Sequence, residues 1–483
     1  MSLLHIPVLR HGKSYESLDK TELAALGDGE PLAEVSLANA GMIRRDQRKI
    51  GAAAEALRER SCAELLDISA RAGELFLHET LPLCEGGPAQ SPRDYIESLS
   101  ATTGLPFSLC RRNMGKIHQV FTEMPAILAG LTRGLDLEAL DSGLGEQGGS
   151  AVSYFAQTDS LGAVLPSNSP GVNSIWMPAI ALKTPVVLKP GREEPWTPLR
   201  IIQAWIAAGC PPEAFGFYPT DHEGAAAILT GSGRALIFGD QSTIGQYAAN
   251  PAIQVHGPGW SKVLIGEDMI EQWPDWIDVL VGSILANGGR SCINASAIVV
   301  PAHGREIAEA LAERLAPIGP RARDDEDAVL AGFANPAFAE YIDGAIEQGL
   351  RTPGAEEVTA NHRDGPRKHV FEACAYLRPT IVACDSFEHP LANREFLFPY
   401  ASVVEVPQAN MLEQIGPSLV VSAITGDPEF TRRLLRCPLI DRLNLGPIPT
   451  TRVEWDQPHE GNLFEFLYRR RAIQRSPSMV QVS

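Results

Sequence analysis

The chain has no paired cysteines of the metal-binding or redox kind. Its eight cysteines stand at 62, 84, 110, 210, 292, 374, 384 and 437, with no CxxC and no His/Cys group at zinc spacing. Reduced thiols and no metal site are the expectation. There is no run of about 18 apolar residues, so no membrane span is predicted. Met1 to Tyr15 holds no apolar core of signal-peptide length, which leads us to expect a cytoplasmic protein. Positive charge is in deficit, 41 Lys and Arg against 59 Asp and Glu, a net charge of -18. A nucleic-acid partner, which requires a basic surface, is not expected, although a local basic pocket for an anionic cofactor remains compatible with this balance. Repeats and low-complexity tracts are also missing.

What is present is a chain of 483 residues, 44% apolar and 21% charged, long enough for two or three domains. The first thirty residues read as irregular. Apolar residues at helical spacing from Ile43 to Glu79 predict two helices meeting near Ser61-Cys62. A further helix is predicted over 112–132, with Met114, Ile117, Val120 and Phe121 on its buried face. Residues 141–149 contain a literal GxGxxG. The dinucleotide fingerprint needs a strand before it and a helix after it, whereas Ala151 to Phe155 alternates like a strand, so a hairpin turn is the better reading.

From Leu161 the texture becomes strand–helix alternation. Strands are predicted at Leu161–Leu165, Pro185–Leu188, Ala214–Tyr218 and Ala235–Phe238, with helices at Val172–Leu182, Leu199–Ala208, Glu223–Leu229 and Thr243–Ala249. Repeated units of this kind indicate an open parallel sheet covered by helices, whose ligands sit at the carboxyl ends of strands. A second α/β region runs from Val263 to Ser422. Between its first two strands lies Leu285-Ala286-Asn287-Gly288-Gly289-Arg290-Ser291-Cys292-Ile293-Asn294. A lone cysteine is ordinarily a small buried hydrophobe. Here it lies between a glycine turn and an apolar strand, Ala297 to Val300, which is a reasonable place for a nucleophile.

Five stretches, in order, resemble the aldehyde dehydrogenase family. Gly162 to Pro170 is similar to its asparagine loop, Thr184 to Pro190 to its cofactor-binding lysine strand, and Phe238 to Gly245 to the turn beneath the pyrophosphate. Gly289-Arg290-Ser291-Cys292 is similar to its nucleophile motif, and Glu395-Phe396-Leu397-Phe398-Pro399 to its Glu-x-Phe-Gly-Pro signature. The resemblance implies an α/β fold of two open, doubly wound sheet domains with a small β oligomerisation element. Residues 1–137 and 159–255 would form the dinucleotide-binding domain and 256–442 the catalytic thiol domain. Residues 138–158 and 443–483 would supply an oligomerisation hairpin and C-terminal arm, giving a homodimer or homotetramer. The implied chemistry is NAD- or NADP-dependent oxidation of a small-molecule aldehyde through a thiohemiacetal and thioester on Cys292, with Asn168 stabilising the oxyanion. Pro166, Ser167, Lys189, Arg192, Glu193, Gln241, Gly245 and Glu395 would surround the cofactor.

The chain departs from the family in places. Arg290 stands where Gln is usual, Ser167 and Ser169 replace bulky aromatics, and Asp240-Gln241 replaces Gly-Ser. Arg192 occupies a position where NAD-preferring relatives carry Glu, and a shift of one residue brings Glu193 there instead, so NAD and NADP both stay open. His256 takes the place of the glutamate that activates the hydrolytic water. It is either the general base or a loop histidine in an enzyme that passes its acyl group to coenzyme A. A non-catalytic family member used for binding or scaffolding, and a thioester or ester hydrolase working through Cys292 and His256, are the readings from other classes.

Overall fold

The structure is a computed structural model that describes residues 3–474. One sheet of seven strands runs in the order Ile253–His256, Arg234–Phe238, Leu161–Val164, Val186–Lys189, Phe215–Phe217, Val8–Arg10 and Lys13–Tyr15. Its first five strands are parallel, and the N-terminal hairpin closes the edge antiparallel. The earliest parallel strand in the chain, Leu161–Val164, is flanked by the second and the fourth, so the strand order reverses beside it. That reversal opens a crevice at the carboxyl ends of Leu161–Val164 and Arg234–Phe238.

A second sheet of seven runs Ala355–Glu357, Thr380–Cys384, Tyr400–Glu405, Ala295–Val300, Ser261–Ile265, Ser418–Ile424 and Ile440–Leu445. Only its first strand is antiparallel. Four residues carry the chain from the end of Ile253–His256 to the start of Ser261–Ile265. The carboxyl edge of one sheet therefore faces the amino edge of the other. Near-continuous apolar strands such as Ala295–Val300, buried along their full length, are what parallel strands covered on both faces require.

Several expectations are corrected. The first thirty residues are not irregular: Leu4–Ile6, Val8–Arg10, Lys13–Tyr15 and Lys20–Ala24 are strands, each too short for alternation to show. The helix expected over 112–132 is two, Phe107–Thr122 and Met124–Thr132, because Pro125 cannot donate back into the preceding turn. Its four named core residues are nonetheless all buried. The helix expected over Val172–Leu182 is a 3₁₀ turn, Pro170–Ile175, and one turn of α-helix, Pro178–Ala181, parted at Pro178. That expected over Thr243–Ala249 shrinks to Gln241–Ile244, where Gly245 follows and little apolar surface remains to hold a longer helix.

The GxGxxG does lie in a hairpin. Gly145–Gln147 pairs antiparallel with Ser150–Ala156 around Gly148 and Gly149, both at positive φ as a tight two-residue turn requires. The C-terminal arm forms a short helix, Leu463–Leu467, and a strand, Tyr468–Arg471, that pairs with Ser150–Ala156 of its own chain. The rest of the arm, 475–483, lies outside the described residues. No helix among the described residues is long and apolar enough to cross a membrane, and they hold no group of three metal-binding side chains.

Before the thiol, Asn287, Gly288 and Gly289 all take positive φ. At Gly289 (φ +69°) an added Cβ would meet the Phe398 carbonyl carbon and the Pro399 nitrogen at 2.3 Å. Gly289→Ala should cost about 2–4 kcal/mol through strain and overpacking. Gly282→Ala, in the preceding helix, meets nothing and should hold or raise stability. The urea midpoints of the two variants check this pair.

Candidate active site

Cys292 sits in the turn before Ala295–Val300. Asn294 braces that turn: its Nδ2 donates to the carbonyls of Ser283, Ile284 and Ala286, and its Oδ1 accepts from the Ser291 N–H at 2.9 Å. Arg290 does not face the reaction space. Its guanidinium is buried, donates to the carbonyls of Thr103 (2.7 Å) and Gly332, and lies over the Phe333 ring. Burial pulls it down to about 10. The Arg in place of Gln thus ties the nucleophile loop to its neighbours.

Asn168, just past the strand Leu161–Val164, donates from Nδ2 to the Arg290 carbonyl at 2.8 Å. The loop of the asparagine and the loop of the thiol are joined by this bond. Ser169 reinforces it, since its Oγ accepts from Asn287 Nδ2 at 3.1 Å.

His256 ends the last strand of the first sheet, where its ring is buried and stacks on Phe238 at 4.5 Å. Its Nδ1 lies 2.8 Å from Glu460 Oε1, within ion-pair distance, and neither ring nitrogen makes a hydrogen bond of good geometry among the described residues. Glu460 was not singled out in the sequence. It lies some two hundred positions along the chain in a turn, and only the bond from Gln254 Nε2 to its carbonyl and the helix that follows show where it goes. The turn after His256 packs on Cys292: a Cβ on Gly259 would lie 2.0 Å from the Cys292 carbonyl oxygen, and Ser261 Oγ donates to that oxygen at 2.8 Å.

Glu395 accepts from the Trp260 N–H at 2.6 Å. Burial pushes its carboxyl up to about 7, against the pull of the Trp260 and Gly259 N–H groups and of Lys262. Lys262, donating to the Trp260 carbonyl and to Ser418 Oγ, is brought down to about 7 by burial. The Cys292 thiol is pushed well above its ordinary value, first by burial and then by Glu460 and Glu395, with Lys116 opposing.

The crevice at the strand reversal gathers the other expected residues. Pro166 and Ser167 pack against Gly191, and Ser167 Oγ accepts from the Glu193 N–H at 3.2 Å. Lys189 ends its strand, and burial lowers its ammonium, with Glu193 opposing and Arg192 assisting. Arg192 is exposed and Glu193 half-buried. Gln241 and Gly245 are exposed beside the four-residue helix that Asp240 caps through Thr243 N.

A family model described as the aldehyde dehydrogenase family matches residues 89–415. An indole-3-acetaldehyde dehydrogenase complexed with NAD+ has TM-score 0.78 at 15% identity, covering 98% of this chain and 96% of its own. An NADP dependent enzyme of E. coli has TM-score 0.76 at 15% identity, covering 97% and 98%. The aldehyde dehydrogenase KauB of Pseudomonas aeruginosa has TM-score 0.77 at 15% identity, covering 98% and 97%. Likeness at that identity establishes the fold. No curated protein matches the chain. The family match spans more than half of the sequence, and the chain belongs to the aldehyde dehydrogenase family, whose members are NAD(P)-dependent oxidoreductases.

Proposed function

We propose that the protein oxidises an aldehyde to its acid through a covalent intermediate on Cys292. The observation that carries this reading is the convergence of the Asn168 loop, the His256–Ser261 turn and the glycine turn on one thiol. The ionised sulfur attacks the aldehyde carbon, and negative charge develops on the carbonyl oxygen. One N–H of the Asn168 amide is held by the Arg290 carbonyl, which orients the amide and leaves its other N–H for that oxygen. The Cys292 N–H is the second donor, each worth on the order of 10²–10³ in rate.

The crevice residues fit a dinucleotide. Lys189 stands at the carboxyl end of a strand beside the reversal, and the close packing of Ser167 on Gly191 leaves a floor over which a ribose can lie. Pro166, Ser167, Lys189, Glu193 and Glu395 would hold it, with Arg192, Gln241 and Gly245 at its exposed side. When bound, NAD(P)+ accepts the hydride lost by the aldehyde carbon. Glu193, anchored at Ser167 and near Lys189, favours NAD over NADP through its negative charge.

The acyl group left on sulfur is released by water. His256, with Glu460 beside its Nδ1, takes the proton of that water. Glu460 is a positioning residue, and its charge adds to burial in disfavouring the ionised thiol. Transfer to coenzyme A is the second reading, favoured by the imidazole at the position where the family carries a carboxylate. Assembly as a homodimer or homotetramer, and the domain limits expected from the sequence, belong to the same proposal.

Cys292→Ala should lower aldehyde-dependent formation of reduced nicotinamide by more than about 10³-fold. Acid formed without coenzyme A supports release by water, turnover only with coenzyme A moves the acceptor, and turnover retained by the variant sinks the thiol mechanism. Glu460→Gln should split two readouts. Iodoacetamide should alkylate Cys292 faster at neutral pH, because loss of a nearby negative charge lowers the thiol pKa. Acid release should slow, because His256 loses its partner. Glu193→Gln should shift the NAD-to-NADP preference toward NADP by roughly tenfold, about 1.4 kcal/mol, read as the ratio of kcat/KM values.

A further inference from the structure

A cavity lies between the helices Phe107–Thr122 and Met124–Thr132, the turn Pro170–Ile175 and residues 453–463. Lys116, His459 and Glu460 line it, and the charges of Lys116 and Glu460 also act on the thiol. Its remaining walls are largely apolar, including Ile127, Leu131, Ile175, Pro178 and Leu236. Favouring the ionised sulfur is one use for a cation here, but a neutral aldehyde offers that cation nothing to bind.

Lys116 nevertheless projects into this space from the helix Phe107–Thr122. Its Nζ lies against the backbone just beyond Asn168: a Cβ on Gly171 would be 3.4 Å from it. No acceptor among the described residues hydrogen-bonds or ion-pairs this ammonium. Burial lowers its pKa, as does Arg442, while Cys292 opposes. Arg442, on the edge strand Ile440–Leu445, donates to His459 Nδ1 at 3.2 Å. That imidazole is neutral, since burial, Lys116 and Arg442 hold it well below its ordinary range.

The facing carboxylates do not answer Lys116. Glu460 lies against His256, Glu454 bears on Arg442, and Asp441 is pushed up by burial and by Glu460. Lys116 is half-buried and its Nζ is not sealed from solvent, so an anion can reach the ammonium, and a mostly apolar wall solvates that charge poorly until one does. A role in the fold alone would be served better by a Met of similar length.

We propose that Lys116, with Arg442 behind it, is an anion subsite, and that the substrate is an aldehyde carrying a carboxylate a few bonds from its carbonyl. This rests on the dehydrogenase reading of Cys292. The aldehyde carbon meets the sulfur while the carboxylate meets the ammonium, with the apolar walls around the chain between them. A carboxylate suits the site better than a phosphate, because Glu454 bears on Arg442 and leaves the one ammonium to balance one charge. The product is a dicarboxylate.

The test compares butanal, 4-oxobutanoate, its methyl ester and glyceraldehyde 3-phosphate as substrates for wild type, Lys116→Met and Lys116→Arg. Wild type should prefer 4-oxobutanoate over butanal by at least about tenfold in kcat/KM. Lys116→Met should lose at least tenfold of that preference, mostly through KM, and Lys116→Arg should keep part of it. The thermal midpoint of Lys116→Met should not fall. Equal ratios in wild type and Lys116→Met, or no preference for the charged aldehyde, overturn the subsite, and a preference for the phosphate overturns the carboxylate. Succinate binding, followed by fluorescence of Trp455 on the cavity wall, reads the subsite without turnover. Binding by wild type and not by Lys116→Met, alongside no turnover of any aldehyde, would leave the subsite standing and sink the dehydrogenase reading.

Discussion

The site depends on how closely main chain approaches main chain at Cys292. Gly259 touches the nucleophile's carbonyl, and Gly289 touches the Phe398–Pro399 peptide, each at a distance that no side chain would allow. These two contacts bring the His256–Ser261 turn and the loop of Glu395 onto opposite sides of the same short segment. The Ser261 hydroxyl and the Asn168 amide then satisfy carbonyls that such crowding would otherwise strand. Imidazole, carboxyl and amide are thus fixed around the thiol by backbone packing, and little of that depends on the side chains doing the chemistry.

Electrostatically the resting site opposes its own nucleophile. Burial alone disfavours a thiolate, and Glu460 and Glu395 add to that penalty. Such a thiol is poorly reactive toward adventitious electrophiles. A substrate placed in the crevice must therefore be met by removal of the sulfur's proton, and Lys116 is the neighbour whose charge favours the ionised form. Glu460 bears on two groups at once: it restrains the sulfur and stands beside the His256 imidazole.

The strands with long apolar runs were legible in the sequence because burial on both faces leaves them mainly apolar residues with an occasional small serine. Ala295–Val300 and Ser418–Ile424 are of this kind. The strand Ile253–His256 escaped notice, since four residues ending in an imidazole do not look like a sheet strand. Yet it is the strand that delivers His256. Candidate residues that lie near recognisable local patterns, Asn168, Lys189 and Cys292, could be proposed from sequence, and the structure places Asn168 and Cys292 on adjoining loops. Lys116 and Glu460 could not: one sits on a helix whose other face is core, the other in a turn. Both reach the thiol through tertiary packing that no local period encodes.

The same distinction resolves the run Arg192-Glu193-Glu194. All three are charged and adjacent, so spacing alone leaves each available to a ribose. Glu194 is withdrawn by packing: it is fully buried, accepts from the Thr197 N–H and hydroxyl, and is pushed up to about 8 by burial while capping the helix that follows. Arg192 points to solvent. Glu193 alone is fixed by its backbone to the Ser167 hydroxyl at the crevice floor. At the other end of the crevice, the Asp240 carboxylate already occupies the amide of Thr243. A pyrophosphate arriving there meets a negative charge and a helix of four residues, too short for a substantial dipole. On the proposed reading, cofactor affinity is carried by the adenosine and nicotinamide ends, through Lys189 and Glu193 on one side and Glu395 on the other. Substitutions at these ends should consequently weigh more on cofactor binding than they would where a longer helix and a Gly-Ser turn hold the phosphates.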